Sequence, residues 1–209
     1  MPAFIWPQMR LLTAPVLSSL STVGRPPVPE GRSPDSAGVD RALARRYYCP
    51  SCGNAALESR DNKLYGCSEC GHTYFHNTAV AVSAVIEHAG AVAWITRARD
   101  PGAGLLDLPG GFVERDESLE AALVRETWEE VGFEPEAPQY LFSIPNRYLF
   151  HGVRYSTVDV FFACRASQRA VFLPNDEATA LEWLAPSAVD PARIAFESTR
   201  LALARLLLR

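Results

Sequence analysis

Two β-like runs, Ala79 to Glu87 and Ala91 to Arg97, predict a pair of strands turning at His88 to Gly90. A second pair, Tyr140 to Phe150 and Val153 to Cys164, alternates well enough to predict a long hairpin turning at His151-Gly152. Between the pairs, Ser118 to Val131 carries apolar residues at helical spacing. Ser118 or Asp116 is its candidate N-cap, and Gly132 is a natural residue to end it. Ala180 to Leu184 predicts a short strand, and Thr199 to Leu208 predicts a short C-terminal helix. Strands interleaved with helices predict an α/β domain over residues 78–209.

Residues 1–45 read differently. Seven of the chain's 16 prolines lie in the first 48 residues, and Ser, Gly and Pro dominate Ser18 to Gly38. Such a segment buries too little apolar surface to offset its ordering entropy, so it predicts a disordered tail. Leu11 to Leu20 is apolar, but Arg10 is the only early charge and Pro15 interrupts the run, which argues against a secretory signal.

Composition narrows the function classes. Of 209 residues, 48% are hydrophobic and 21% charged, which excludes a wholly disordered or collagen-like chain. No apolar stretch approaches the length a bilayer requires, so a membrane partner is not expected. The net charge of −4 argues against nucleic acid as a partner. The charge is uneven: +3 over 1–48, −1 over 49–77 and −6 over 78–209. The acidic excess lies in the C-terminal part.

Cys49-Pro-Ser-Cys52 and Cys67-Ser-Glu-Cys70 are two CxxC pairs separated by 14 residues, each followed by a glycine, Gly53 and Gly71. Four thiolates so spaced suit structural tetrahedral Zn2+, the glycines permitting the tight turns. Two disulfides or a redox CxxC are the competing readings, and nothing else in the chain suggests an oxidising compartment. Residues 46–77 resemble a zinc ribbon, whose closed site scaffolds rather than catalyses. Cys164 lies in an apolar run and reads as a core thiol.

At 100° per residue, Glu126, Glu129 and Glu130 fall within one arc of roughly 100° on the predicted helix. Like charges so crowded repel, and a hard divalent cation such as Mg2+ or Mn2+ relieves that. A solvated acidic face is the plainer reading of three such residues alone. The surrounding spacing decides between them: Gly111, Glu117, Arg125-Glu126, Glu129-Glu130 and Gly132-Phe133 fit G-x5-E-x7-R-E-U-x-E-E-x-G-U, with U apolar. This segment resembles the Nudix box. Thr127 departs from the larger apolar residue commoner at its position. Leu108-Pro109-Gly110-Gly111 and Leu181-Glu182-Trp183-Leu184 extend the likeness over 78–209.

The resemblance implies an α/β/α sandwich around a mixed sheet and hydrolysis of a nucleoside diphosphate linked to another moiety. It implies that Glu126, Glu129 and Glu130 hold Mg2+ or Mn2+, helped by a backbone carbonyl at Gly110 or Gly111. Glu117 and Arg125 pair to fix the loop, and Glu129 or Glu177 is the general base. Arg97, Arg99, Arg147 and Arg154 are candidate phosphate ligands, and Tyr148, Phe150 and Tyr155 are candidates to stack on a base. A zinc ribbon before a Nudix domain resembles the NADH pyrophosphatase group, but Ser143-Ile144-Pro145-Asn146-Arg147 replaces that group's S-Q-P-W-P-F-P-x-S signature. The expected substrate is therefore a small dinucleotide or nucleotide-sugar (NADH, ADP-ribose or a relative). The alternative is a catalytically idle nucleotide sensor whose ribbon contacts nucleic acid or protein, which the intact carboxylates disfavour. A homodimer is expected by analogy and a cytoplasmic location from the cysteines.

Overall fold

The computed structural model describes residues 47–61, 63–150, 153–169 and 171–208. The predicted tail over 1–45 and the turn residues His151 and Gly152 lie outside them. The chain divides into two compact units, with the boundary between His76 and Asn77.

The first unit is a three-stranded antiparallel sheet of β1 (Leu57–Ser59), β2 (Leu64–Cys67) and β3 (Thr73–Phe75), in that order. The β1–β2 turn is made by Asp61, whose carboxylate accepts the N–H groups of Lys63 and Leu64 at 2.8 and 2.7 Å. Among its described residues, Cys49, Leu57 and Cys67 are the buried hydrophobic ones. Three such side chains are too few to hold a fold by burial alone.

The second unit contains β4 (Ala79–His88), β5 (Ala91–Arg97), β6 (Leu106–Asp107), α1 (Leu119–Val131), β7 (Glu136–Phe150), β8 (Val153–Arg165), β9 (Ala178–Leu184) and α2 (Glu197–Leu207). The sheet order is β6-β5-β4-β8-β7, with β9 paired to β5. β4 and β8 run parallel over nine residue pairs, Ala79↔Thr157 to Glu87↔Arg165, while the other pairs are antiparallel, so the sheet is mixed. Val82, Ala84 and Ile86 of β4 meet Ala122 and Leu123 of α1 on one face. Val85, Trp94 and Phe161 meet Ala202 and Leu203 of α2 on the other. The strict alternation along β4 thus serves two cores, one under each helix. This is the α/β/α sandwich expected from the sequence.

One departure from simple pairing positions the site. β4 and β5 pair only beside their turn, at Glu87↔Val92 and His88↔Ala91. Beyond it they diverge, and Leu106 to Val113 fills the gap. β6 bonds β5 at Ile95↔Asp107 and Thr96↔Leu106. The chain then crosses to β4, where Ala84 N–H donates to the Pro109 carbonyl (2.8 Å), Val82 N–H to the Gly111 carbonyl (2.8 Å) and Val113 N–H to the Val80 carbonyl (3.0 Å).

Ser118, not Asp116, caps α1: its hydroxyl accepts from Ala121 N–H at 3.1 Å, and Gly132 ends the helix at φ 75°. β7 begins at Glu136, four residues before the expected start. Pro138 and the positive φ of Ala137 obscure the alternation there, and the register shifts between Glu136 and Gln139. β9 and α2 each begin two residues early. β6 was not foreseen, because two residues before a proline carry no periodic signal.

Candidate active site

Two carboxylates of α1, those of Glu126 and Glu130, face the Gly110-Gly111 turn. Glu130 is buried, and the Gly110 N–H donates to its Oε2 at 2.7 Å. Burial pushes the Glu130 carboxyl well above the usual carboxylate range; that hydrogen bond opposes the rise, and the charges of Asp107, Glu126 and Glu177 add to it. Burial likewise raises Glu126, against the pull of Arg125. Gly111 lies so close that a β-carbon there would fall on the Glu126 carboxylate. Gly110 is tighter still: at φ 149°, its β-carbon would meet the backbone of Val82 and Ser83.

Arg125 organises the exposed side of the cluster. Its Nε and Nη2 both reach Glu117 at 2.9 Å. Its Nη1 donates to Glu126 (2.8 Å) and Glu129 (3.2 Å), and Nη2 also donates to the Phe112 carbonyl (3.1 Å). Glu117 in turn accepts the Glu114 N–H at 3.0 Å. The Arg125 guanidinium beside it holds the Glu117 carboxyl below its ordinary range. One guanidinium therefore joins the loop before α1, the Gly-Gly turn and two helix carboxylates. Thr127 is fully buried and its hydroxyl donates to the Leu123 carbonyl at 2.6 Å, so the departure from the box pattern is a satisfied packing change.

Asn175, which the sequence reading did not single out, brings the remote Glu177 to this cluster. Its Nδ2 donates to the carbonyls of Glu129 and Glu130 (3.2 and 3.1 Å), tying down the end of α1. Its Oδ1 accepts the N–H groups of Glu177 and Ala178. The signal was the Asn175-Asp176-Glu177 run, a turn-forming sequence.

The other candidates scatter. Arg99 pairs with Asp176 beside Glu177. Arg97 is half-buried, pairs with Asp107 at 3.3 Å and lies over the Phe196 ring, away from open solvent. Tyr148 and Phe150 stack with centroids 6.2 Å apart, and Tyr155 lies opposite Tyr148 on β8. Arg147 is exposed on β7, and the Arg154 side chain lies outside the described residues. The Gly111 carbonyl already accepts the Val82 N–H, so only its second lone pair is open to a metal.

The four cysteines of the first unit converge as well. Their sulfurs all lie within 4.8 Å of one another, with Cys49 and Cys70 at 3.7 Å and Cys52 and Cys67 at 3.8 Å. A tetrahedron with zinc–sulfur bonds of about 2.3 Å has edges of about 3.8 Å. Gly53 and Gly71 both take φ 74°, and their N–H groups close the knuckles on the Cys49 and Cys67 carbonyls. All four thiols are free and gather at one point, the arrangement expected of a single four-sulfur site. Among the described residues no other Cys, His, Asp or Glu group closes this tightly.

A family model described as the NUDIX domain matches residues 76–205. The chain belongs to the Nudix family. Its Nudix domain is similar to an ADP-ribose pyrophosphatase of Methanocaldococcus jannaschii, 40% identical over 93 residues, covering 44% of this chain and 51% of that protein. It is also similar to the NAD-capped RNA hydrolase NudC of Chromobacterium violaceum, 31% identical over 96 residues, covering 46% of this chain and 36% of that protein. The chain thus spans about half or less of the length of these relatives. Among solved structures, a NUDIX hydrolase from Nitrosomonas europaea superposes with a TM-score of 0.61 at 25% identity, covering 77% of this chain and 90% of that one. Among the described residues, no helix is long and apolar enough to cross a membrane.

Proposed function

We propose that the Nudix domain is a metal-dependent hydrolase that cleaves the pyrophosphate bond of a nucleoside diphosphate linked to a second moiety. The observation that carries this reading is the arrangement around Arg125. Carboxylates gather at a Gly-Gly turn around a single shared guanidinium, and burial raises two of them, Glu126 and Glu130. Such a cluster is short of positive charge, and its oxygen donors fit Mg2+ or Mn2+, with Glu126, Glu129 and Glu130 as ligands.

Bound there, the cation would neutralise pyrophosphate oxygens and make water a stronger nucleophile. The chain's own groups do the rest. The Gly110 N–H keeps one Glu130 oxygen aimed at the turn, and Arg125 clamps Glu117 and turns Glu126 and Glu129 to the same side. Glu177, whose backbone Asn175 ties to the end of α1, would take the proton from an attacking water; Glu129, more exposed than Glu126 and Glu130, is the other candidate base. Zn2+ on Cys49, Cys52, Cys67 and Cys70 would hold the first unit together.

The similarity to an ADP-ribose pyrophosphatase and to NudC makes ADP-ribose and NAD-type dinucleotides the first substrates to try. The test is turnover of NADH, NAD+, ADP-ribose, diadenosine polyphosphates and nucleotide-sugars with Mg2+ and with Mn2+, product masses read directly. Cleavage at a pyrophosphate, lost by roughly 100-fold or more in Glu129→Gln and Glu126→Gln, is the expected result. Metal binding with no turnover of any compound would overturn the reading.

A further inference from the structure

Two hydroxyls bind the first turn of α2 to the sheet. Phe196, its N-cap residue, supplies no side-chain cap. Ser198 and Thr199 follow, both buried. A hydroxyl near a helix end commonly bonds its neighbouring backbone. These two donate instead to carboxylates of the sheet. Ser198 Oγ reaches Asp159 on β8 at 2.5 Å, and Thr199 Oγ1 reaches Asp107 on β6 at 2.9 Å. The two bonds are alike in kind but end in different places. Asp159 lies in a strand paired with β4 from Ala79↔Thr157 to Glu87↔Arg165. Asp107 ends a strand of only two residues, and Gly110 follows close behind it in the chain.

That short strand begins the segment that reaches the carboxylate cluster. β5 pairs with it at Ile95↔Asp107 and Thr96↔Leu106. The residues leading into α2 hold it as well: Leu106 bridges Ile194, the Leu106 carbonyl accepts the Ala195 N–H at 2.9 Å, and Asp107 accepts from Thr199. The same Asp107 Oδ1 accepts the Leu108 N–H at 2.9 Å, while Oδ2 stands 3.3 Å from Arg97 Nη1. Further on, the Gly110 N–H fixes Glu130 Oε2 at 2.7 Å. Gly110 and Gly111 have no side chains with which to grip their surroundings. The turn therefore takes its place from its backbone bonds and from whatever anchors its ends. At the near end that anchor is Asp107. Its charge adds to the rise of the Glu130 carboxyl, so the anchor lies near the cluster.

We propose that Thr199 is a positioning residue for the hydrolysis: through Asp107 it holds the Leu106 to Gly111 segment where the Gly110 N–H can fix Glu130. This rests on the hydrolase reading, which makes Glu130 a metal ligand. Without the Thr199 hydroxyl, the Asp107 carboxylate keeps two partners, the Leu108 N–H and Arg97. Arg97 carries a full charge and is the farther of the two. Charge-assisted bonds settle at about 2.7–2.9 Å, so there is room for this one to close. The carboxylate then swings toward Arg97, the Leu108 N–H loses its acceptor, and the displacement enters the chain just before Gly110. Ser198 has no such route. Its bond also holds α2, but Asp159 is otherwise tied to Thr157 on β8 and Asn146 on β7. The pair of hydroxyls thus separates holding the helix from holding the turn.

Variants of the full chain decide the matter: Thr199→Val keeps the shape and removes the hydroxyl, Thr199→Ser keeps the hydroxyl, and Ser198→Ala removes the neighbouring one. The thermal midpoint should fall in Thr199→Val and Ser198→Ala alike, since each loses one bond to a buried carboxylate. Exchange of the Gly110 amide hydrogen, followed by NMR without metal, should be roughly ten-fold faster or more in Thr199→Val and parent-like in the other two. Mn2+ binding, read from the paramagnetic signal of the free ion, should weaken roughly three- to ten-fold in Thr199→Val alone, and kcat on the best-cleaved compound should fall by a similar factor. If Thr199→Val does not fold, the smaller Thr199→Ala takes its place. Parent-like exchange or parent-like Mn2+ affinity in the variant without the hydroxyl would overturn the inference, as would an equal loss in Ser198→Ala. Failure of the hydrolase reading looks different: the parent binds Mn2+ and cleaves nothing, while Gly110 exchange still compares the variants.

Discussion

Asp107→Asn tests the electrostatics beneath the site. Asp107 is 8% exposed, accepts from Thr199 Oγ1 and Leu108 N–H at 2.9 Å, and pairs with Arg97. Burial pushes its carboxyl up from 3.8 to about 6, against the pull of Arg97 and the two hydrogen bonds, with the nearby Asp159 charge adding to the rise. The folded state therefore holds this proton more tightly than the unfolded chain does. Its contribution is fully present below about pH 3.8 and is lost as pH rises through about 6. A difference of about 2 pH units corresponds to about 3 kcal/mol over the whole window, of which about 2 kcal/mol falls between pH 4.5 and 7.5. Asparagine cannot titrate, so its own offset is constant with pH. Urea denaturation of parent and variant, followed by fluorescence, gives the difference at each pH. Trp94, fully buried in the same core as Leu106 and Leu108, is a suitable reporter. The parent should lose about 2 kcal/mol relative to the variant between pH 4.5 and 7.5. A difference constant to about 0.5 kcal/mol would refute the argument and mean that Arg97 keeps the carboxylate ionised throughout.

Three further outcomes are expected. Gly110→Ala should lower the thermal midpoint by ten degrees or more, because its β-carbon would strike the Val82 carbonyl and Ser83 backbone rather than a movable side chain; an unchanged midpoint would mean the turn can move off β4. Arg125→Lys keeps the charge but loses the two-pronged bond to Glu117, so kcat should fall at least ten-fold with a much smaller loss of stability, measured by kinetics and melting of the same preparation. Elemental analysis should find one zinc per chain, and Cys52→Ser with Cys67→Ser should lose both the zinc and the ordered backbone amide signals of residues 47–76; retention of those signals without zinc would show that the unit folds unaided.

The parts of this protein that could be read from its sequence are those whose partners are close in the chain. Ser118 and Gly132 bound α1 through bonds spanning a few residues, and Glu126, Glu129 and Glu130 share a face by helix geometry alone. Glu117 and Arg125 are eight residues apart, and the cysteine knuckles are equally local. What stayed hidden is held from far away. Asn175 is 45 residues beyond the Glu130 carbonyl it bonds, and Thr199 is 92 residues beyond Asp107. Phe112, Tyr148 and Phe196 have nothing in their local sequence to suggest that their rings meet. β6 escaped because its order comes from filling the gap between two diverging strands, a property of the sheet rather than of Leu106 and Asp107. Arg97 read as a free cation because nothing local announced a buried acid ten residues on.

The divergence of β4 from β5 has a consequence for how such a protein can change. The carboxylate helix lies on one side of the sheet and α2 on the other, and Leu106 to Val113 fills the gap between the diverging strands. Alterations to Val85, Trp94 or Phe161 are felt in the core shared with α2, whereas the packing of α1 depends on Val82, Ala84 and Ile86. The packing on the two faces is thus separately adjustable. A lineage could remodel the apolar side under α2 while the two glycines keep the turn seated against Glu126 and Glu130 on the opposite side.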